Sequence, residues 1–233
     1  MVRLQSLTLA AAGAALLAPT TPPAPAHPPV REEPAARRET GVSAAALLAR
    51  LRGCDPVSRG RYRSDGGARA RIRICGTREA VFWKADMDID CDGRPTRRCN
   101  SRTDPYFSAA TAYQQSDGRQ LNAERLPYIV VPGAGRGWDP AAQGIGGGSV
   151  AALVHRGRVR YAVVGDVGPR DIIGEASYAA ARALGIPADP QGGGAASGVT
   201  YVVFKGSRVK DIGDRAAASR AGRRLAAELL RGG

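Results

Sequence analysis

The stretch EAVFWKADMDIDCD (79–92) decides how this chain is read. From Trp83 onward the odd positions are apolar or cysteine, and the even positions are Lys84, Asp86, Asp88, Asp90 and Asp92. A strand sends alternate side chains to opposite faces. One face therefore enters a core while the other carries a column of carboxylates. Residues two apart on one face are separated by about 7 Å, so the charges repel and each raises its neighbour's pKa. Strands are normally depleted in Asp. Such a column requires something cationic beside it. A calcium ion is one compensator, and Asp88, Asp90, Asp92 and Gly93 imitate the opening of an EF-hand loop. The twelfth position would be Cys99 where a Glu is needed, and no flanking helix pair is predicted. Arg94, Arg97 and Arg98 are a second compensator, and a cationic ligand is a third; these two stay open.

Other strands surround this one. ARIRIC (70–75) alternates, LPYIVVP (126–132) is a short apolar run, and GVTYVVF (198–204) has the composition of a buried strand. SVAALVHRGRVRYAVVGD (149–166) predicts a hairpin turning at Arg156-Gly157. Helices are predicted over 43–52, about 175–184 and about 214–231. Six or so short strands with few helices give a mainly β (α+β) class: a compact, six-stranded, barrel-like core with peripheral helices. Only 5% of residues are aromatic, so Val, Ile, Leu and Ala must build that core.

The N-terminus reads as an address. A basic start at Met1–Arg3, an apolar run to Leu17 and a small-residue, proline-containing segment to Ala26 have the order of a secretory signal. Residues 27–42 are rich in Pro, Arg and Glu and read as a flexible leader. Residues 43–233 are then one domain of ordinary size. Cys54, Cys75, Cys91 and Cys99 are an even set in an exported chain, which points to two disulfides. Of three possible pairings, Cys91–Cys99 with Cys54–Cys75 is favoured, because the first closes a short polar loop. Zinc is a poor fit: no CxxC spacing exists, and the histidines are only His27 and His155. The net charge of +13 invites a nucleic-acid reading, but the arginines are dispersed and no aromatic-interleaved basic motif occurs.

YAVVGDVGPRDIIGEAS (161–177) holds a second carboxylate pair. A strand runs into Asp166, Gly165, Gly168 and Pro169 set a tight turn, and Gly174 places Glu175 at a helix start. Asp166 can be a plain turn former, and Glu175 can simply favour a helix N-terminus. As a pair close in space, they supply what glycosidic cleavage needs: one protonated carboxyl for the leaving oxygen and one ionised carboxyl for water or the sugar. Other chemistries fit less well. There is no Asp-Thr-Gly or Asp-Ser-Gly, no GxSxG elbow, and no GxGxxG in a βαβ unit.

Phe82–Gly93, Thr103–Phe107, Leu126–Pro132 and Ala162–Pro169 with Ile173–Ser177 together resemble the chitosanases of glycoside hydrolase family 75. The resemblance covers about residues 43–231. It implies a secreted endo-chitosanase that hydrolyses β-1,4 bonds between glucosamine units with inversion; the residues by themselves leave open another secreted polysaccharide hydrolase, acting on chitin or peptidoglycan, and a non-catalytic carbohydrate-binding module. It implies a β-barrel core, with the double-psi type as one form. The family's essential Asp and Glu fall on Asp166 and Glu175. Glu175 is assigned as acid and Asp166 as base, and inversion expects their carboxyl groups about 6.5–9.5 Å apart. Chitosan is the expected partner, bound by Asp86, Asp88, Asp90, Lys84 and Asp171. The chain is expected to act as a monomer, with no cofactor or metal and with no nucleic-acid or membrane partner.

Overall fold

The acidic stretch forms one of the two longest walls of a barrel in the computed structural model, which describes residues 41–232. The signal over 1–26, and all but the last two residues of the leader, lie outside the described residues. Eight strands follow in chain order: β1 (Asp55–Pro56), β2 (Cys75–Gly76), β3 (Ala80–Asp90), β4 (Tyr128–Pro132), β5 (Val150–His155), β6 (Arg158–Gly168), β7 (Glu175–Ser177) and β8 (Ala195–Phe204). Three helices accompany them: α1 (Ala44–Arg50), α2 (Tyr178–Leu184) and α3 (Arg215–Arg231). Pairing runs β3–β7–β4–β6–β5–β8 and closes through β8 back to β3. The result is a six-stranded mixed barrel, parallel at β3–β7 and β4–β6, with β1 and β2 added outside β3.

The alternation of β3 sorts as its sequence requires. Val81, Trp83, Ala85 and Met87 fill the barrel interior with Ile129, Leu153, Val164 and Tyr201. Trp83 stacks on Tyr201 with ring centroids 5.3 Å apart. The outward side chains Phe82, Ala152, Val154 and Phe204 make a second core with Leu47 of α1 and Ala226 and Leu229 of α3. The hairpin turns where predicted, with left-handed φ of 44° at Arg156 and 77° at Gly157, the pair of positive φ values that a type I′ turn needs. Both favoured disulfides are present, Cys54–Cys75 and Cys91–Cys99.

Three local expectations are corrected. Residues 70–75 do not form a strand of that length; Ile72 pairs with Tyr62 and Ile74 with Val57, two separate partners, so only Cys75–Gly76 joins the sheet. Glu175 is not in a helix: Glu175–Ser177 pairs with β3 and β4, and α2 begins after Ser177, whose Oγ accepts from Ala180 N–H. Tertiary strand pairing outweighs the helix preference of Glu-Ala. Lastly, Gly165 is not in a turn, because β6 continues to Gly168.

Candidate active site

The glycine at 165 aims the first carboxylate. Ile129 of β4 faces Val164 of β6, but Val130 faces Asp166, so Gly165 is an extra residue in β6. Plain alternation would put Asp166 on the interior side with Val164. The bulge moves it onto the outward face with Val130, as such insertions do beside functional sites. A Cβ at Gly165 would strike Tyr128 and Leu121, so only glycine fits. Gly165→Ala is expected to destabilise by about 1–3 kcal/mol and to displace Asp166; a melting curve and an activity assay together check this.

The registers then set out a single row across four strands. Asp88 of β3 faces Glu175 of β7. Ile129 faces Ala176 in the antiparallel β4–β7 pair, which brings Glu175 opposite Val130. Val130 faces Asp166. The order is Asp88, Glu175, Val130, Asp166. Glu175 and Asp166 thus stand two strand spacings apart, about 9–10 Å between backbones, with Val130 between them. All four residues line one cleft of about 650 Å³. Among the described residues its carboxyl groups are Asp88, Asp90, Asp92, Asp104, Asp166 and Glu175, and no Lys or Arg lines it.

The two central acids differ in their surroundings. Asp166 Oδ1 accepts from the backbone N–H of Ala112 and of Val167, both at 2.7 Å. Burial raises the Asp166 pKa, and these two donors pull against that rise by favouring the anion. Glu175 has no such donors among the described residues. Burial first, then the charges of Asp88, Asp166, Asp92 and Asp65, push it up to about 7. The two acids therefore differ in kind: every influence on Glu175 favours its proton, whereas at Asp166 two donors oppose the effect of burial. Asp90, deeper in the wall, is pushed well above the usual carboxylate range, chiefly by burial. Its Oδ1 accepts from Asp92 N–H at 2.7 Å and from Tyr128 O–H at 3.1 Å. Burial also lifts Asp92 to about 6.

Among the described residues, the column on β3 has no basic partner in an ion pair. The ion pairs among the described residues are Arg63–Asp171, Arg78–Glu79, Arg119–Asp117 and Arg224–Glu228, none of which involves Asp86, Asp88, Asp90 or Asp92. Compensation by Arg94, Arg97 and Arg98 is not what the structure uses. Two groups bring carboxylate oxygens within 4.8 Å of one another: Asp65 with Asp86 and Asp88, and Asp90 with Asp92 and Asp166. Each could hold protons or a cation.

Of the site residues read from the sequence, Asp88, Asp90, Asp166 and Glu175 come together in the cleft. Lys84 and Asp86 line a neighbouring groove instead, and Asp171 is exposed and pairs with Arg63 at 3.6 Å. Asp104 and Tyr106 were not singled out individually, although both line the cleft. They lie within the Thr103–Phe107 motif, whose acid and aromatic in a turn were the available signal. Tyr106 is 92% exposed.

The crowded acids make a stability prediction. Their folded pKa values are raised, so between the unfolded values near 4 and the folded values the native state binds more protons than the unfolded chain. Stability is therefore greatest at the acid end of that window and falls as pH rises through about 7, the value for Glu175 and Asp86. The melting temperature is expected to be higher at pH 5 than at pH 8. An increase across that interval would show that these groups are not buried together.

A closed barrel bearing an open, carboxylate-lined cleft, with two buried acids of unlike surroundings two strands apart in one row, defines a class: a barrel protein with a concentrated acidic site on its wall. Comparison with known proteins gives the particular family. Residues 87–227 match the family described as fungal chitosanase of glycosyl hydrolase group 75, and the chain belongs to that family. Among curated relatives, endo-chitosanase C of Aspergillus oryzae is 33% identical over 134 residues, 55% of this chain and 32% of that protein. Endo-chitosanase B of the same organism is 30% identical over 160 residues, 61% of this chain and 65% of that protein. The matched stretch thus spans about a third to about two thirds of these relatives' own lengths.

Proposed function

We propose that this protein is a secreted endo-chitosanase that hydrolyses β-1,4 bonds between glucosamine units with inversion. The observation that carries the reading is charge segregation. In a chain of net charge +13, the described residues place six carboxyl groups and no basic side chain around one cleft. Long-range repulsion of a polycation is screened beyond about 8–10 Å at physiological salt, so the local charge of the cleft governs binding. Family membership and the names of the relatives support the same substrate. The two disulfides support export.

In the proposed reaction Glu175 donates its proton to the leaving glycosidic oxygen. Asp166 takes a proton from a water that attacks the anomeric carbon from the opposite side. The bond between that carbon and the leaving oxygen breaks as the new C–O bond forms, and the configuration inverts. The spacing across Val130 leaves room for this water. Asp88 and Asp90 attract substrate ammonium groups, and Tyr106 offers a ring face at the cleft edge. The direct test is the viscosity of fully deacetylated chitosan, which is expected to fall rapidly on adding the protein while chitin stays intact. An unchanged viscosity would refute the proposal.

Asp88→Asn is expected to raise KM for chitosan about three- to tenfold, the loss of one partly exposed charge-assisted contact, and to flatten its salt dependence. Because Asp88 is the charge that most raises Glu175, the alkaline limb of kcat/KM should also move to lower pH. An unmoved limb with unchanged KM would remove Asp88 from the site.

A further inference from the structure

The Asp65–Asp86–Asp88 cluster sits where the main cleft meets its neighbour: Asp88 lines the first and Asp86 the second. Asp86 is more than nine-tenths buried, yet its Oδ1 has no hydrogen-bond partner. A buried, unpartnered carboxylate oxygen is costly, and here the backbone is shaped to keep it. β8 places Ala195 opposite Met87 and Val199 opposite Ala85, so extra residues arch away from β3 beside Asp86. Gly174, at φ 129°, lies against Asp86 Oδ1, where any Cβ would collide with it. Tyr201 O–H, buried below, donates to the Asp86 backbone carbonyl at 2.9 Å, not to the carboxylate.

Resting on the chitosanase reading, the geometry points to Asp65, Asp86 and Asp88 as a subsite for the primary ammonium of a single glucosamine unit beside the reacting bond. Three carboxylates present oxygens within 4.8 Å of one another. An ammonium directs three N–H groups at tetrahedral angles, and acceptors at about 2.8 Å from its nitrogen lie roughly 4.6 Å apart. An acetamide has one N–H and a bulky acyl group, so it cannot satisfy all three carboxylates, of which Asp86 is buried while Asp65 and Asp88 are exposed. The subsite therefore selects a deacetylated unit at one fixed position. Asp88 belongs both to this subsite and to the row that holds Glu175, and Asp86 lies two residues further along β3, about 7 Å from it. Asp65, from the loop before β2, is the residue that completes it.

The test is equilibrium titration with a glucosamine hexamer in the full chain carrying Glu175→Gln, so that turnover does not consume the ligand. Adding Asp65→Asn or Asp86→Asn is expected to weaken binding about tenfold, and a hexamer acetylated throughout should bind equally weakly with and without either change. Asp65 is exposed, so Asp65→Asn tests the site without threatening the fold. Asp86→Asn should raise the melting temperature at pH 8 while lowering affinity, a combination that a purely structural aspartate would not give. Unchanged hexamer affinity in both variants would overturn the subsite. So would a calcium-dependent rise in melting temperature that Asp86→Asn abolishes, since that would mark a metal site. The wild-type viscosity assay is a separate readout, so failure of the enzyme reading and failure of the subsite are distinguishable.

Discussion

Glu175→Gln is expected to lower kcat on chitosan by about 10³-fold, within the usual range for removing a general acid, with little change in KM or melting temperature. Glu175 is buried among like charges, and a neutral amide of the same shape relieves repulsion instead of breaking a contact. The loss should depend on the leaving group. A glucosamine oligosaccharide ending in a dinitrophenyl group departs without a proton, so the variant should recover most of its rate on that substrate. Equal loss on both substrates would assign Glu175 a different role.

Asp166→Ala is expected to lose about as much activity on both substrates, because water must be activated whichever group leaves. Added azide, a nucleophile that needs no base, should restore turnover and yield a glycosyl azide. Azide should do nothing for Glu175→Gln. The asymmetry follows from the surroundings: Asp166 is held by two backbone N–H donors at 2.7 Å, whereas the influences on Glu175 all favour its proton. Rescue of the Glu175 variant by azide, with none for Asp166→Ala, would reverse the two roles.

The alternation of 79–92 made most of β3 legible, because a strand with one apolar face has few registers available. The Arg156-Gly157 turn and the apolar runs gave the other long strands of the barrel for the same reason. Closure was less readable: the β3–β8 and β4–β7 pairings join segments far apart in sequence, and nothing local encodes them. The two acids were visible as types and spacing, but their aim was not. Asp166 faces the cleft only because Gly165 is extra in β6. Glu175 belongs to a three-residue strand whose composition, Glu-Ala-Ser, favours a helix on its own. The column of Asp on β3 was legible as strain, yet its division was not: Asp88 and Asp90 line the cleft while Asp86 turns to a second groove. That split depends on the bulge between β3 and β8, and Asp65 reaches the column from a loop with no pattern to betray it.

On the proposed mechanism, the two strand spacings between Asp166 and Glu175 leave a water between the base and the sugar, and the anomeric configuration inverts. Proton NMR of the reducing ends formed in the first minutes of glucosamine hexamer hydrolysis reads it out. The α-anomer should appear first and convert slowly to β. Initial release of the β-anomer would mean a covalent intermediate and carboxyl groups too close for the row described, and would contradict the assignment of the pair.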